Sequence, residues 1–460
     1  MTHIFHPTIL REYDIRGIVG DTLSAHDAYA LGRTFAALAG DEGVTRLAVG
    51  RDGRSHSEEL EDELVRGLTE GGITVVRVGM GPSPMLYWSV AELDVGGGIQ
   101  VTGSHNPADY NGFKMLLGGR SVFGGEIQGL GKRSAEGRWS GGTDGGVEDI
   151  DILDRYVARL VEDFAGGSFR IGWDAGNGAA GPALEKLVKL LPGEHHLLFT
   201  EVDGAFPNHH PDPTVEKNLE HLKALVADKG LDFGIAFDGD GDRIGAVDGE
   251  GHVIWGDQLV AILAEPVLAA HPGATIIADV KASQTLFDRV AELGGKPLMW
   301  NTGHSLIKSK MKETGAPLAG EMSGHIFFKH RWYGFDDALY ASVRLIEAIA
   351  QSGRSLTQLR KAMPPTVATP ELRFPVDEAR KFAVVEEVRD RLSKSGATVN
   401  STDGVRVNTA DGWWLLRASN TQDVLVARAE AQDAAGLETL VATIDAHLAQ
   451  SGVERTEATH

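Results

Sequence analysis

The sequence predicts an α/β protein with three related domains and a smaller α+β domain after them. Three observations carry this. Strand-like apolar runs beginning at Arg46, Phe169 and Ala274 each end in an acidic residue and small residues, then a helical pattern. Strand–loop–helix units of this kind build parallel or mixed sheets covered by helices. Beyond Met363-Pro364-Pro365-Thr366 the pattern changes to one helix and several alternating strands. The 460 residues also suggest roughly three domains at about 150 residues each.

Taken in order, Arg46-Leu47-Ala48-Val49-Gly50 reads as a buried strand entering Arg51-Asp52-Gly53-Arg54 and a helix over Ser57 to Thr69. Phe169-Arg170-Ile171-Gly172-Trp173 enters Asp174-Ala175-Gly176-Asn177-Gly178 and a helix over Pro182 to Leu190. Ala274-Thr275-Ile276-Ile277-Ala278 enters Asp279-Val280-Lys281-Ala282-Ser283 and a helix over Gln284 to Leu293. Gly137 to Gly146 is Gly-rich and precedes a helix expected near Asp149, and Asp248 to Gly251 reads as a hairpin turn. The last domain carries a helix over Ala379 to Lys394 and strands near Gly404 to Asn408, Trp413 to Leu416 and Val424 to Ala429; Val453 to His460 reads as a frayed tail. The expected divisions are 1–148, 149–250, 251–365 and 366–460.

Composition narrows the partners. The balance of 44 basic and 65 acidic residues gives −21, which argues against nucleic acid or an anionic membrane. A phosphate ester would therefore need a local basic pocket. The chain has no cysteine, which excludes thiolate chemistry and fits the cytoplasm. Met1 to Pro7 lacks the apolar core of a signal peptide, and no apolar run reaches the length of about 18 residues that spans a bilayer. The 58 glycines cluster beside polar residues, as in tight loops where backbone meets ligand.

The most informative run is Asp238-Gly239-Asp240-Gly241-Asp242-Arg243. Three carboxylates this close repel unless a cation sits between them, and hard oxygen ligands with an incomplete shell suit Mg²⁺. A cation beside an arginine equips a site for phosphoryl transfer. An EF-hand is excluded, because its sixth and twelfth positions here are Arg243 and Gly249. In Thr102-Gly103-Ser104-His105-Asn106-Pro107, Ser104 can carry a covalent phosphoryl group. Thr102 and Asn106 stand where a hydrolase elbow would have glycines. Gly320-Glu321-Met322-Ser323-Gly324-His325 presents a carboxylate and a hydroxyl suited to a polyol. Arg417-Ala418-Ser419-Asn420-Thr421, read as a loop, offers hydroxyls, an amide and a guanidinium to a non-reacting phosphate. Lys114, His304, and Arg16 with Tyr13 in a turn near the start are weaker signals. Each loop alone also reads as an ordinary turn. Gly176-Asn177-Gly178-Ala179-Ala180-Gly181, with Glu201 beyond it, matches the dinucleotide fingerprint and offers a nicotinamide oxidoreductase as a rival, but leaves the other loops unexplained.

Together, in this order along nearly the whole chain, these loops resemble the α-D-phosphohexomutase family, and within it the bacterial phosphomannomutase/phosphoglucomutase branch. The resemblance implies three mixed-sheet α/β domains and a smaller α+β domain around a central cleft. It implies a hexose 1-phosphate/6-phosphate mutase that works through phosphoserine and a hexose 1,6-bisphosphate intermediate and activator. One Mg²⁺ per chain would be held by Ser104, Asp238, Asp240 and Asp242. Arg243 would sit beside the transferring group, Glu321 and Ser323 on sugar hydroxyls, and Arg417, Ser419, Asn420 and Thr421 on the distal phosphate. Arg16, His105, Lys114 and His325 match catalytic cleft positions, and Tyr13, Lys281 and His304 substrate-binding ones; the general acid or base stays open among Lys114, His105 and His325. The phosphate loop departs by continuing Thr421-Gln422-Asp423, where many relatives have Glu-Pro or Thr-Pro. Met322 matches the mannose/glucose branch. The expected partner is a phosphosugar and the expected state a monomer or weak dimer. A Mg²⁺-dependent phosphatase using Ser104 is the alternative.

Overall fold

The computed structural model describes residues 2–139, 145–420 and 422–455. Its first three sheets repeat one topology. In the first, Arg46–Arg51 is flanked by Thr74–Met80 and Gly97–Val101, both parallel to it, and Tyr110–Leu117 returns antiparallel. In the second, Phe169–Asp174 lies between Gly193–Leu198 and Phe233–Phe237, with Ile244–Asp248 antiparallel. In the third, Thr275–Asp279 lies between Lys296–Trp300 and Leu318–Gly320, with Ile326–Phe328 antiparallel. The opening strand of each unit is central and feeds a helix: Ser57–Glu70, Gly181–Leu187 or Gln284–Glu292. In every unit the third and fourth strands form a hairpin. The serine, aspartate and glutamate loops occupy that same hairpin position in the three sheets. A repeated fold thus delivers three different chemistries to equivalent ends.

The fourth sheet is antiparallel throughout and has its own core, including Phe374, Val384, Trp414, Leu425 and Ile444. The largest hydrophobic cluster runs continuously through the first three units, from Val76 and Trp88 through Trp173 and Phe237 to Phe328 and Leu345. The last domain meets the third through only a small apolar patch of Val280, Trp413 and Leu415, against Met299. Polar contacts complete that junction: Lys281 Nζ to Glu371 Oε1 at 2.7 Å, Ser283 Oγ to Glu430 Oε1 at 2.7 Å, and Arg406 Nη1 to the carbonyls of Val280 and Ala282, each at 2.7 Å.

Several local expectations change. Asp149 ends an edge strand, Val147–Asp149, that pairs with Val75 to Arg77, and the helix follows at Leu153–Val161. Pairing to a neighbouring strand outweighs the Gly-rich approach. Val253–Ile254 pairs back onto Ile244–Asp248. The first two sheets therefore run slightly past the divisions expected after 148 and 250. Arg16 lies in a strand, Ile15–Ile18, hydrogen-bonded to Tyr110–Leu117, and not in a turn. Arg417 belongs to the strand Gly412–Ala418, ahead of the loop. The helix expected to reach Leu190 ends at Leu187.

The Lys281–Glu371 pair makes the domain junction sensitive to acid. Lys281, outweighing burial, lowers the Glu371 pKa from 4.5 to about 2. A depressed carboxylate contributes stability above its unfolded value and loses it as pH falls through the folded one. The melting-temperature gap between the native protein and Glu371→Gln should be full above pH 4.5 and close as pH falls toward about 2. A gap that does not change with pH would show that the pair contributes nothing.

Candidate active site

Ser104 follows the strand Gly97–Val101 in a left-handed conformation, φ 49°, which is uncommon for a residue with a side chain. The neighbouring residues hold it there. Asp52, just past the first central strand, accepts from the Thr102 hydroxyl at 2.9 Å and from Gly103 N at 3.0 Å. The buried guanidinium of Arg54 donates to four loop carbonyls: Ser104 and Asn106 at 2.7 Å, Tyr110 at 3.0 Å and Pro107 at 2.5 Å. Arg16 Nη1 reaches Gly103 O at 3.1 Å and Asn106 Oδ1 at 2.5 Å, while Nη2 pairs with Asp14.

The aspartate loop of the second unit closes directly onto this serine. A Cβ on Gly239 would lie 2.3 Å from the Ser104 carbonyl oxygen, so only glycine allows the approach. The Ser104 hydroxyl donates to Asp238 Oδ2 at 3.0 Å and lies 3.1 Å from His105 Nδ1. Asp238 Oδ1 accepts from the backbone N–H of Asp242 and Arg243, each at 3.1 Å. Lys114 Nζ bonds Asp240 Oδ2 at 2.6 Å and Asp242 Oδ2 at 2.5 Å. Asp238, Asp240 and Asp242 are fully buried, and their ligand atoms lie within 4.8 Å of one another. Asp240 Oδ1 and Asp242 Oδ1 have no hydrogen-bond partner among the described residues. Buried unpartnered carboxylate oxygens facing each other fit a hard divalent cation.

The electrostatics agree. Burial, then Asp240 and Asp242, push the Asp238 pKa well up. Burial also acts on Asp240, but Lys114 and Ser83 overcome it and hold that group down. Burial opposes the Lys114 ammonium, yet Asp240 and Asp242 raise its pKa well above the usual range. Burial, Arg243 and Arg16 push His105 well below the ordinary imidazole value, leaving it neutral beside the Ser104 hydroxyl.

The glutamate loop joins through backbone and side chain. Ile244 N donates to Gly324 O at 3.0 Å, and Arg243 Nε donates to His325 Nε2 at 3.0 Å. Accepting at Nε2 leaves the His325 proton on Nδ1, which lies 2.9 Å from Asp336 Oδ2. His304 stacks on His325 with ring centres 5.5 Å apart. Glu321 Oε1 accepts from Gly303 N at 2.5 Å, and Ser323 Oγ donates to Glu321 Oε2 at 3.3 Å. Asp279, the counterpart of Asp52 in the third unit, braces this loop by accepting from Met322 N at 3.1 Å. Burial raises the Asp279 pKa to about 6.

The distal residues form a second group. Tyr13 OH donates to Thr302 O at 2.8 Å and accepts from Asn420 Nδ2 at 2.7 Å, joining the first, third and fourth domains. Arg417 Nε pairs with Asp403 at 2.9 Å, and Ser419 Oγ accepts from Gln422 N at 3.2 Å. Lys281 is held by Glu371 rather than facing the serine. Thr421 lies outside the described residues.

The glycine-rich turn that mimics a dinucleotide site has another use. Ala179 N donates to Gly239 O at 2.9 Å, and a Cβ on Gly178 would lie 2.8 Å from the same oxygen. It is the backing of the aspartate loop. Sequence reasoning passed over Asp52, Arg54, Ser83 and Asp336. A charged pair directly after a buried strand was a readable signal for the first two. Ser83 and Asp336 had none, because only the tertiary fold brings them to the site.

Replacing Arg54 with Met removes the donors that set the serine loop, and a displacement of about 1 Å can cost on the order of 100-fold in rate. Steady-state kinetics should show kcat falling by about that factor with KM little changed. Arg54→Lys should not restore it, since one ammonium cannot reproduce a planar fork. Full activity in either variant would remove Arg54 from this role.

Four family models match in order: phosphoglucomutase/phosphomannomutase alpha/beta/alpha domain I over 7–132, domain II over 154–251, domain III over 255–367 and the C-terminal domain over 371–447. The chain is 45% identical over 432 residues to a Pseudomonas aeruginosa protein named phosphomannomutase/phosphoglucomutase, covering 94% of this chain and 93% of the relative. It is 45% identical over 434 residues to a Neisseria gonorrhoeae phosphoglucomutase, covering 94% of each. A crystal structure of a phosphoglucomutase/phosphomannomutase family protein from Burkholderia thailandensis superposes with TM-score 0.92 at 43% identity, covering 100% of this chain and 99% of that one. The chain belongs to the phosphoglucomutase/phosphomannomutase family, the bacterial branch of the α-D-phosphohexomutases.

Proposed function

We propose that the protein interconverts hexose 1-phosphate and hexose 6-phosphate, of mannose, glucose or both, with Ser104 as the phosphoryl carrier. The observation that carries this is the Ser104 hydroxyl, 3.0 Å from Asp238, in a set of three buried aspartates with unpartnered oxygens. Curated relatives bearing mutase names support it. A magnesium ion held by Asp238, Asp240 and Asp242, with an oxygen of phosphorylated Ser104, would supply the positive charge that a transferring phosphoryl group needs.

The chain's own residues supply the rest. Arg243 and Lys114 face the transferring phosphate with fixed positive charge. Lys114, neutral His105 and His325 are the groups able to exchange a proton with a sugar hydroxyl, His325 once Arg243 turns from its Nε2 to the phosphate while Asp336 stays on Nδ1. Glu321 and Ser323 hold two sugar hydroxyls. Arg417, Ser419, Asn420 and Thr421 hold the phosphate that is not reacting, with Tyr13, Lys281, His304 and Arg16 lining the path between. Phosphoserine gives its phosphate to the sugar; the hexose 1,6-bisphosphate turns over and returns its other phosphate to Ser104. One distal site must therefore accept either end of the sugar. The zero cysteine count fits a cytoplasmic protein and the charge of −21 argues against nucleic acid or an anionic membrane as partner; the reading takes a small phosphosugar as the partner and a monomer or weak dimer as the state. A phosphatase using the same serine finds no support, since both curated relatives above carry mutase names.

Ser104→Ala should abolish conversion of mannose 1-phosphate to the 6-phosphate, and intact mass should show one phosphate on the native chain that the variant lacks. Near-normal turnover would end the proposal. Glu321→Ala should raise KM for the sugar phosphate and leave Mg²⁺ affinity unchanged by calorimetry; a fall in Mg²⁺ affinity would mean the loop assignment is wrong.

A further inference from the structure

Asp240 and Asp242 each have one oxygen already engaged, and Asp238 has both, Oδ2 by the Ser104 hydroxyl. Asp238 Oδ1 takes two backbone N–H bonds, Asp242 Oδ2 takes Lys114, and Asp240 Oδ2 takes both Lys114 at 2.6 Å and the Ser83 hydroxyl at 2.5 Å. Ser83 opens the helix Ser83–Glu92 of the first domain, is fully buried, and donates its backbone N–H to the Asp240 carbonyl at 2.8 Å. The first domain thus grips Asp240 through both its main chain and its carboxylate.

Lys114 on both carboxylates and Ser83 on Asp240 together limit how they can ligate. With both Oδ2 atoms taken, Asp240 and Asp242 each offer one free oxygen, Oδ1. Mg²⁺ takes compact octahedral shells with few carboxylates, one oxygen from each, whereas Ca²⁺ gathers six to eight oxygens and commonly takes a carboxylate through both. We propose that Ser83 is a specificity-determining residue: by holding Asp240 to a single free oxygen, it makes the aspartate loop select Mg²⁺ over Ca²⁺. Lys114 serves two carboxylates at once, so without Ser83 its share on Asp240 is no longer fixed and that carboxylate is free to turn. This rests on the aspartate loop being the cation site, the reading proposed above.

The test is calorimetric titration of the full-length, chelator-treated protein with Mg²⁺ alone and with Ca²⁺ alone, comparing native, Ser83→Ala and the nearly isosteric Ser83→Cys, whose thiol is a weak donor. Both variants should lose about tenfold in Mg²⁺ affinity, the usual effect of removing a group that orients a ligand. Ca²⁺ affinity should hold or rise, so the preference narrows. Parallel losses for both ions, or an unchanged ratio in whichever variant folds, would overturn the role of Ser83 alone. A native protein that binds neither ion would overturn the cation site with it.

Discussion

Three carboxylates buried within 4.8 Å of one another repel too strongly to stand alone, and much of the surrounding structure compensates them. Part of the compensation is local, from the backbone N–H groups of Asp242 and Arg243, and part comes from outside their own domain. Lys114 and Ser83 belong to the first domain, while the aspartates belong to the second. The charge that makes the site useful for phosphate chemistry is therefore also a tie between domains. Burial of Lys114 would be costly without the aspartates, and burial of the aspartates without Lys114. The serine loop, the aspartate loop and Lys114 are consequently held in one arrangement.

The repeated topology explains why this meeting is possible. Three sheets of the same connectivity present three hairpin ends, and the sequence of each end was free to take a different task. The acidic residue that closes the opening strand has kept a bracing role in two of them, Asp52 under the serine loop and Asp279 under the glutamate loop. In the second unit Asp174 instead holds Gly176 N and His209. There the loop is backed by the glycine-rich turn through Ala179 and Gly178.

The loops that carry chemistry were legible because their residues are contiguous: Asp238 to Arg243, Thr102 to Pro107, Gly320 to His325. The fold class was legible for a similar reason, since each strand–loop–helix unit is local. What was not legible is everything that depends on a long-range partner. Ser83 stands between two prolines with no local signal, and only the approach of Asp240 gives it a role. Arg16 reads as part of a turn near the start; the pairing of Arg16 with Gly112 and of Gly17 with Asn111 places it in a strand. Arg54 stood in plain view as part of a strand-to-helix loop, but the four carbonyls it serves come from residues more than one strand away.

The hydrophobic interior shared by the first three domains has one more consequence. The strands bearing the aspartates pack in that interior through Phe237 and Ile244, whereas those bearing Ser104 pack through Ile99, Val101 and Phe113 in the first domain's own cluster, so the reacting groups meet where two apolar interiors abut. The last domain packs around an interior of its own, so a cavity cut there leaves the apolar contacts beneath Ser104 and the aspartates intact.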